Sequence, residues 1–379
     1  MQKVRELNRI GLMSEQSTDS DVNYRELDPF KIATQQAGGS TTHNLEKYFG
    51  YYEVTESVGE SAYIWFEGDK YQAIVTEGLG TKNLVADAFS EISGRSHYDS
   101  IAQDTVAMIV NDLITVGAMP KVVTAHMSVA ESEWFNNTQR MHDLVNGWAA
   151  ACNLAGAKWG GGETPQLKGI LQPGVIELSG SAIGEINPPE RLTLGSKLQP
   201  GDYIIYLPSS GIHANGLTDA RALADKMPEG YSTYLDDGST YGETLLKPTP
   251  IYVDAVRSLF KAGVDIHYMV NVTGHGWRKL MRADRELTYV MALVPENPSP
   301  VFDFIQEQSG KTDEQMYSTF NMGMGFAIYV PGEYLAQSLK VLQTNGWPAR
   351  LGGHVEEGPR QVIIKPKNLI FESESLTIR

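Results

Sequence analysis

The sequence has a single cysteine, Cys152, in 379 residues. One thiol cannot form a disulfide within the chain, and it cannot build a thiolate zinc site. A chain without internal disulfides suits a reducing compartment, so we expect a cytoplasmic protein. The sequence also lacks an apolar run of the roughly 20 residues that span a bilayer, and its N-terminus lacks a signal-peptide pattern. We therefore expect no membrane partner.

Basic residues are few, because Lys and Arg number 31 against 46 Asp and Glu, for a formal net charge of −15. Nucleic-acid binding needs a basic footprint, so no nucleic-acid partner is predicted. A small anionic ligand is still compatible with this charge, since backbone amides, a few lysines and a metal ion can hold it locally. Hydrophobic residues make up 41% of the chain, which is typical of globular proteins.

The chain length predicts two domains. Residues 1–23 are polar and aperiodic, which predicts a mobile tail. The Asn-Pro-Pro-Glu stretch at 187–190 breaks the pattern and separates domain 24–187 from domain 188–379. Strand-like and helix-like periods mix in both halves, including strands at 62–66 and 71–76 and a helix over 99–117. Both domains are therefore predicted to be α/β or α+β.

Two glycines stand at the end of the 71–76 strand, in Glu77-Gly78-Leu79-Gly80-Thr81-Lys82, and a helical pattern follows. Glycine lets backbone amides approach a ligand closely, and a helix N-terminus favours phosphate. Lys82 can offset phosphate charge and Glu77 can hold Mg²⁺. The alternative is an ordinary strand–turn–helix unit with a surface lysine.

The 99–117 helix carries Asp104, Asn111 and Asp112, which lie seven and eight residues apart and hence on one face. Together with Glu77 they would form an oxygen-rich Mg²⁺ site that also uses phosphate oxygens of a nucleotide. The alternative is a solvated helix face.

Three successive glycines precede Glu163-Thr164, and residues 160–165 are predicted to form a loop. Such a run indicates backbone passing close to a ligand, or a tight turn. A second turn, at 209–216, places His213 and Asn215 between a strand and a helix. His213 is a candidate general acid or base, unless the turn is only a helix cap. Residues 272–277 form a similar glycine-flanked turn.

The segments 76–82, 98–112, 161–164, 209–216, 246–253, 272–276 and 320–325 occur in an order that resembles the aminoimidazole ribonucleotide synthetase family, also called phosphoribosylformylglycinamidine cyclo-ligase. The resemblance extends over nearly the whole chain from about residue 24. It implies a two-domain α/β (α+β) fold. The N-terminal domains of a homodimer would pair into a β-barrel with ATP near the interface, and the C-terminal domain would be an α/β sandwich.

The resemblance implies an enzyme of purine biosynthesis that uses ATP and formylglycinamidine ribonucleotide to make aminoimidazole ribonucleotide, ADP and phosphate. It implies ATP and Mg²⁺ as cofactors and leaves K⁺ open. The catalytic residues would be His213, Asp112 and Lys82, and the metal ligands Glu77, Asp104 and Asp112. Substrate would contact His213 and Asn215. The residues implied for ATP and its phosphates are Glu77, Gly78, Thr81, Lys82, Asp104, Asn111, Gly161, Gly162, Glu163 and Thr164.

The sequence departs from the family at some of these places. Glu77 stands where the family usually has Asp, and His275 interrupts the usual Thr-Gly-Gly-Gly. Lys31 and residues 37–42 are candidates to replace the family's N-terminal glycine-rich stretch. The alternatives within the superfamily are a thiamine-monophosphate kinase-like enzyme and a non-catalytic nucleotide-binding homologue. A selenophosphate synthetase is disfavoured because the N-terminal region has no reactive Cys.

Overall fold

The computed structural model describes residues 24–296 and 298–376, so the predicted 1–23 tail lies outside the described residues. The helices of the described chain are α1 (Tyr24–Gly39), α2 (Lys82–Ser93), α3 (Tyr98–Ile114), α4 (Thr138–Ala155), α5 (Leu217–Lys226), α6 (Tyr241–Leu245), α7 (Val253–Lys261), α8 (Val301–Ser309), α9 (Asp313–Thr319) and α10 (Gly332–Thr344). None of them is both long and apolar enough to cross a bilayer.

Two sheets organise the chain. Their strands are β1 (Tyr51–Glu53), β2 (Tyr63–Glu67), β3 (Lys70–Gly78), β4 (Met119–Val129), β5 (Lys158–Glu163), β6 (Ile176–Ile186), β7 (Tyr203–Pro208), β8 (Tyr268–Asn271), β9 (Leu287–Met291), β10 (Met324–Val330), β11 (Arg350–Glu357), β12 (Gln361–Ile364) and β13 (Leu369–Glu372). The first sheet has the order β1-β2-β3-β6-β4-β5 and the second β13-β12-β9-β11-β7-β10-β8. The predicted two-part α/β (α+β) fold is confirmed.

The first sheet is antiparallel except where β4 and β5 run parallel. Helix α3 packs across β3, β6 and β4, and α4 packs on α3. Every residue of α3 from 104 to 114 is buried, so this helix has no solvated face. On the opposite face of the sheet, every second residue of each strand points outward. Thr76, Thr124 and Ile183 on this face are partly or largely exposed. Where β3, β4 and β6 form that face it is largely open within the described chain, while the end of α1 and residues 41–45 line a cavity with Tyr63 and Trp65 of β2.

In the second sheet β8, β9 and β10 are buried at every position, as expected for strands with cover on both faces. This arrangement agrees with the predicted α/β sandwich.

The residues at the helix ends explain where several helices begin and end. Helices α2 and α4 end at Gly94 and Gly156, both with φ of +66°. Helices α6 and α9 begin with capping boxes at Thr240 and Thr312.

The predicted loop at 160–165 is wrong for most of its length. Residues 158–163 form β5, the edge strand of the first sheet, which pairs with β4 from Val122↔Lys158 to His126↔Glu163. A Cβ at Gly162 would collide with the backbone of Ala125. The glycine is therefore required by close strand packing, a reason that glycine-rich composition did not reveal.

Candidate functional site

A cleft of about 430 Å³ lies where the two sheets meet, and we call it the interdomain cleft. Its lining residues come from both halves of the chain: Lys31, Glu60, Ser61, Glu77, Met108, Asp112, Asn215, Thr273, Gly274, His275, Lys279, Arg282 and Leu376. A larger cavity of about 600 Å³ lies beside Tyr52 and Arg285, but it contains none of the predicted site residues. Convergence of charged groups favours the smaller cleft as the candidate site.

Glu77 and Asp112 meet in this cleft. Glu77 lies at the end of β3, on the helix-covered side of the sheet, and Asp112 lies in the last turn of α3. Burial, together with the negative charge of Asp112, raises the pKa of Glu77 to about 7, against the opposing charges of Lys279 and Arg282. Asp112 accepts a hydrogen bond from Asn271 Nδ2 at 2.6 Å, at the end of β8.

The pH dependence of stability tests this environment of Glu77. Because the folded-state pKa of about 7 lies above the ordinary 4.5, the stabilising contribution is complete below about pH 4.5. It is lost as the pH rises through 7. In the absence of ligand and divalent cation, we expect the Tm advantage of the wild type over Glu77→Gln to shrink by about 2–4 °C between pH 5 and pH 8. Thermal unfolding measures it, and parallel pH profiles for the two proteins would contradict this environment.

Lys82 and Asp104 do not reach the cleft. The Lys82 ammonium lies 2.7 Å from Asp104 Oδ2, both side chains are 0% exposed, and Lys82 also donates to the carbonyl of Lys247 at 2.9 Å. Asp104 Oδ1 accepts hydrogen bonds from the Thr249 amide at 2.8 Å and the Thr249 hydroxyl at 2.5 Å. These contacts join the two domains and leave neither charge facing a ligand.

Asn111 belongs to the same interdomain network. Its Nδ2 donates to the carbonyl of Pro250 at 2.9 Å, and its Oδ1 accepts from the amide of Tyr252 at 2.9 Å. Asp104 and Asn111 are therefore both bound to residues 247–252, which we call the interdomain segment. Of the three polar residues predicted to share one face of α3, only Asp112 faces the cleft.

His213 is buried behind the cleft wall, with a φ of +59°. Its Nε2 accepts a hydrogen bond from the Ser210 amide at 3.4 Å. Burial, together with the positive charge of Lys82, lowers the pKa of His213 to about 3, so the imidazole is neutral. Asn215, two residues on, lines the cleft, and its Nδ2 is buried without a hydrogen-bond partner among the described residues. The turn thus sends Asn215 to the site and His213 into the core.

The other predicted phosphate-binding residues lie apart from the carboxylates. Gly78 ends β3, and Thr81 immediately precedes α2 without capping it. Gly161, Gly162 and Glu163 lie on exposed β5, and Thr164 follows them. Glu77 pairs with Gly180, Gly180 with Ala125, and Ala125 with Gly162. Three strand spacings, about 14 Å, therefore separate Glu77 from Gly162.

Sequence reasoning missed three charged residues of the cleft. Glu60 accepts from the Tyr268 hydroxyl at 3.2 Å, and Arg282 donates to Ser61 Oγ at 2.8 Å and to the Gly59 carbonyl at 3.0 Å. Lys279 donates to Thr273 Oγ1 at 2.7 Å. The available signal was the sequence that follows the 272–277 turn, where Lys279 and Arg282 stand three residues apart and so share a helical face.

Each half of the chain matches a known family of protein domains. Residues 59–186 match the AIR synthase related protein, N-terminal domain, and residues 199–365 match the AIR synthase related protein, C-terminal domain. These two models cover most of the chain. This protein belongs to the AIR synthase related family.

Relatives at about one-third identity carry one name. The chain is 32% identical over 318 residues to the phosphoribosylformylglycinamidine cyclo-ligase of Methanothermobacter thermautotrophicus, covering 82% of this chain and 88% of that protein. It is 35% identical to the protein of the same name from Carboxydothermus hydrogenoformans, over 76% of this chain and 82% of that one. The Thermococcus kodakarensis protein is also 35% identical, over 80% and 85%.

Solved structures share the fold at low identity. Thiamine monophosphate kinase from Aquifex aeolicus superposes with a TM-score of 0.58 at 16% identity, over 92% of this chain and 99% of that one. A HypE–HypF complex gives 0.57 at 18% identity, over 80% and 89%. These likenesses support the architecture and carry no assignment of substrate.

Proposed function

We propose that this protein is the ATP-dependent cyclo-ligase that converts formylglycinamidine ribonucleotide into aminoimidazole ribonucleotide in purine biosynthesis. The observation that carries this proposal is the meeting of Glu77, Asp112 and Asn215 in one interdomain cleft. The cleft belongs to a chain whose relatives, 31–35% identical over most of their length, bear the cyclo-ligase name. We expect this enzyme in the cytoplasm, in agreement with the single cysteine.

The reaction needs an amide oxygen to become a leaving group. That oxygen attacks the γ-phosphorus of ATP, the bond to the β,γ-bridging oxygen breaks, and ADP departs. The amide nitrogen loses its proton to water, which leaves an iminophosphate. An internal amidine nitrogen then attacks the same carbon, the carbon–oxygen bond breaks, inorganic phosphate leaves, and that nitrogen loses its proton, which closes the five-membered ring. Transfer of a proton from the ring methylene carbon to the exocyclic imine nitrogen then gives the aromatic aminoimidazole. The protein mainly positions the reactants and offsets charge.

Glu77 and Asp112 are the side chains suited to Mg²⁺. No group of three carboxylates, imidazoles or thiolates converges on one point in residues 24–296 and 298–376. Mg²⁺ commonly binds through one or two carboxylates, with nucleotide phosphates and water as the remaining ligands, so this pair fits. Bound there, Mg²⁺ would neutralise charge on the phosphates of ATP. Asp104 is not included in this proposal because both its oxygens face Lys82 and Thr249.

A homodimer is part of the proposal. The face of the first sheet opposite α3 presents Trp65, Ile74, Val122 and Ile183 at least partly to solvent, an apolar surface suited to a second copy. Gly161–Thr164 at the β5 edge would bind nucleotide beside that interface. Molar mass in solution, by light scattering, tests the dimer.

The test of function is phosphate release from Mg·ATP with and without formylglycinamidine ribonucleotide, alongside colorimetric detection of the aminoimidazole product. We expect phosphate and product in a one-to-one ratio, only when both substrates are present. ADP formation that depends instead on thiamine monophosphate, with thiamine diphosphate as product and no phosphate release, would move the protein to the kinase class. ATP binding without turnover on either acceptor would indicate a non-catalytic homologue.

A further inference from the structure

The interdomain cleft contains a buried lysine, and the packing of the fold gives no structural reason for its burial. Lys279 is 6% exposed and lies in the short 3-10 helix Gly276–Met281, directly after the glycine-flanked turn. Its ammonium donates to Thr273 Oγ1 at 2.7 Å, the one hydrogen bond it makes within the described residues. An ammonium has three donors, so two of them are available to a ligand in the cleft.

The burial of Lys279 and the charges around it suit a cation that binds an anionic ligand. Burial lowers the pKa of Lys279, the carboxylates of Asp112, Glu77 and Glu60 oppose this effect, and the neighbouring Arg282 adds to it. Two of these carboxylates, Glu77 and Asp112, are the proposed Mg²⁺ ligands. Lys279 therefore stands beside the place where the phosphates of Mg·ATP would lie.

The other cations near the cleft make contacts with other partners. Lys82, the lysine that the sequence suggested, is paired with Asp104 at zero exposure. The guanidinium of Arg282 is committed to Ser61, Gly59 and Glu60, which tether the 59–61 loop to the C-terminal domain. Lys31 is 3.5 Å from Asp28 on helix α1, where its side chain is 42% exposed.

We propose that Lys279, and not Lys82, is the catalytic lysine that contacts the γ-phosphate of ATP in the interdomain cleft. This inference rests on the proposed function and deepens it. Lys279 forms no covalent bond and transfers no proton. It donates hydrogen bonds to γ-phosphate oxygens and offsets the negative charge that remains on them as the phosphoryl group moves to the amide oxygen. Thr273 fixes the ammonium in place.

The experiment compares wild type, Lys279→Met and Lys279→Arg. By calorimetry in Mg²⁺, we expect Lys279→Met to weaken binding of the non-hydrolysable analogue AMPPNP at least tenfold, and binding of ADP less than threefold, because ADP has no γ-phosphate. We expect kcat for product formation to fall at least 100-fold. Lys279→Arg keeps the charge and should recover at least tenfold of that loss.

The matched control is Lys311→Met. Lys311 is also largely buried in the C-terminal domain, with its ammonium 3.0 Å from Asp219 and away from the cleft. We expect its kcat and both affinities to stay within twofold of wild type. A lysine that only balances Glu77 and Asp112 would leave AMPPNP binding unchanged or tighter when removed. That result, or equal weakening of ADP and AMPPNP, would overturn the proposal.

Two further arms keep the test decisive. If circular dichroism shows that Lys279→Met is unfolded, Thr273→Val removes the anchor of the ammonium and keeps its charge. It should still weaken AMPPNP more than ADP, by at least threefold, and equal binding would refute the assignment. If wild type makes no aminoimidazole product, the cyclo-ligase proposal fails. The proposal for Lys279 is still tested in that case, because it predicts the affinities for AMPPNP and ADP.

Discussion

Asp112→Asn should reduce Mg²⁺-dependent product formation by about 10²–10³-fold while the protein stays folded. The substitution removes one of the two carboxylates proposed for Mg²⁺ and leaves Glu77 alone beside Lys279. The fold should persist because an asparagine oxygen can still accept the hydrogen bond from Asn271 Nδ2. Steady-state phosphate release over a range of Mg²⁺ concentrations measures the loss, and a thermal melt verifies the fold.

Asp87→Asn is the control for this experiment. Asp87 is another largely buried carboxylate of the N-terminal domain, it accepts a hydrogen bond from the Tyr98 hydroxyl at 3.0 Å, and it does not line the interdomain cleft. We expect its activity to remain within threefold of wild type. If Asp112→Asn retained full turnover at every Mg²⁺ concentration, the metal assignment would be refuted.

Lys82→Met should destabilise the protein by about 3–5 kcal/mol, the largest effect on stability that we expect from one substitution. The change leaves the Asp104 carboxylate without its countercharge at a position with no solvent exposure. It also leaves the Lys247 carbonyl without its donor. Urea unfolding followed by tryptophan fluorescence measures the loss in free energy of unfolding.

The double variant Lys82→Met, Asp104→Asn separates a structural role from a ligand-binding one, and the asparagine oxygen can still accept from Thr249. Removing both charges avoids a lone buried ion, so much of the lost stability should return. A structural pair predicts that ATP affinity then recovers with the fold. Wild-type stability in Lys82→Met, with ATP affinity lost, would instead restore the sequence-based assignment of Lys82 to phosphate.

The sequence predicted the architecture well because its signals were periodic. The strands predicted at 62–66 and 71–76 overlap β2 and β3, and the helix predicted over 99–117 overlaps α3. The family resemblance supplied the two-domain arrangement, and the comparisons confirm the family. The strands β1, β8 and β13 have three or four residues each, too few for a period to be visible.

The site was harder to predict, since polar residues on one helix face meet different partners in three dimensions. Asp104, Asn111 and Asp112 are close in angle around α3, yet a segment some 140 residues away along the chain binds the first two. Only Asp112 is left for the cleft. Helical periodicity contains no information on which distant segment covers a face, and Lys279 had no motif of its own.

The interdomain segment limits how this protein can be recombined with its relatives. Side chains of α3 supply hydrogen bonds to the backbone of residues 249, 250 and 252, so the two halves recognise each other through main-chain groups. Consider a chimera that joins residues 1–187 to the C-terminal half of a homologue. Its stability should depend more on the backbone conformation of the interdomain segment than on the side chains of that segment. Crossover points within 247–252 should give insoluble hybrids, and crossovers near 187–190 should give soluble ones.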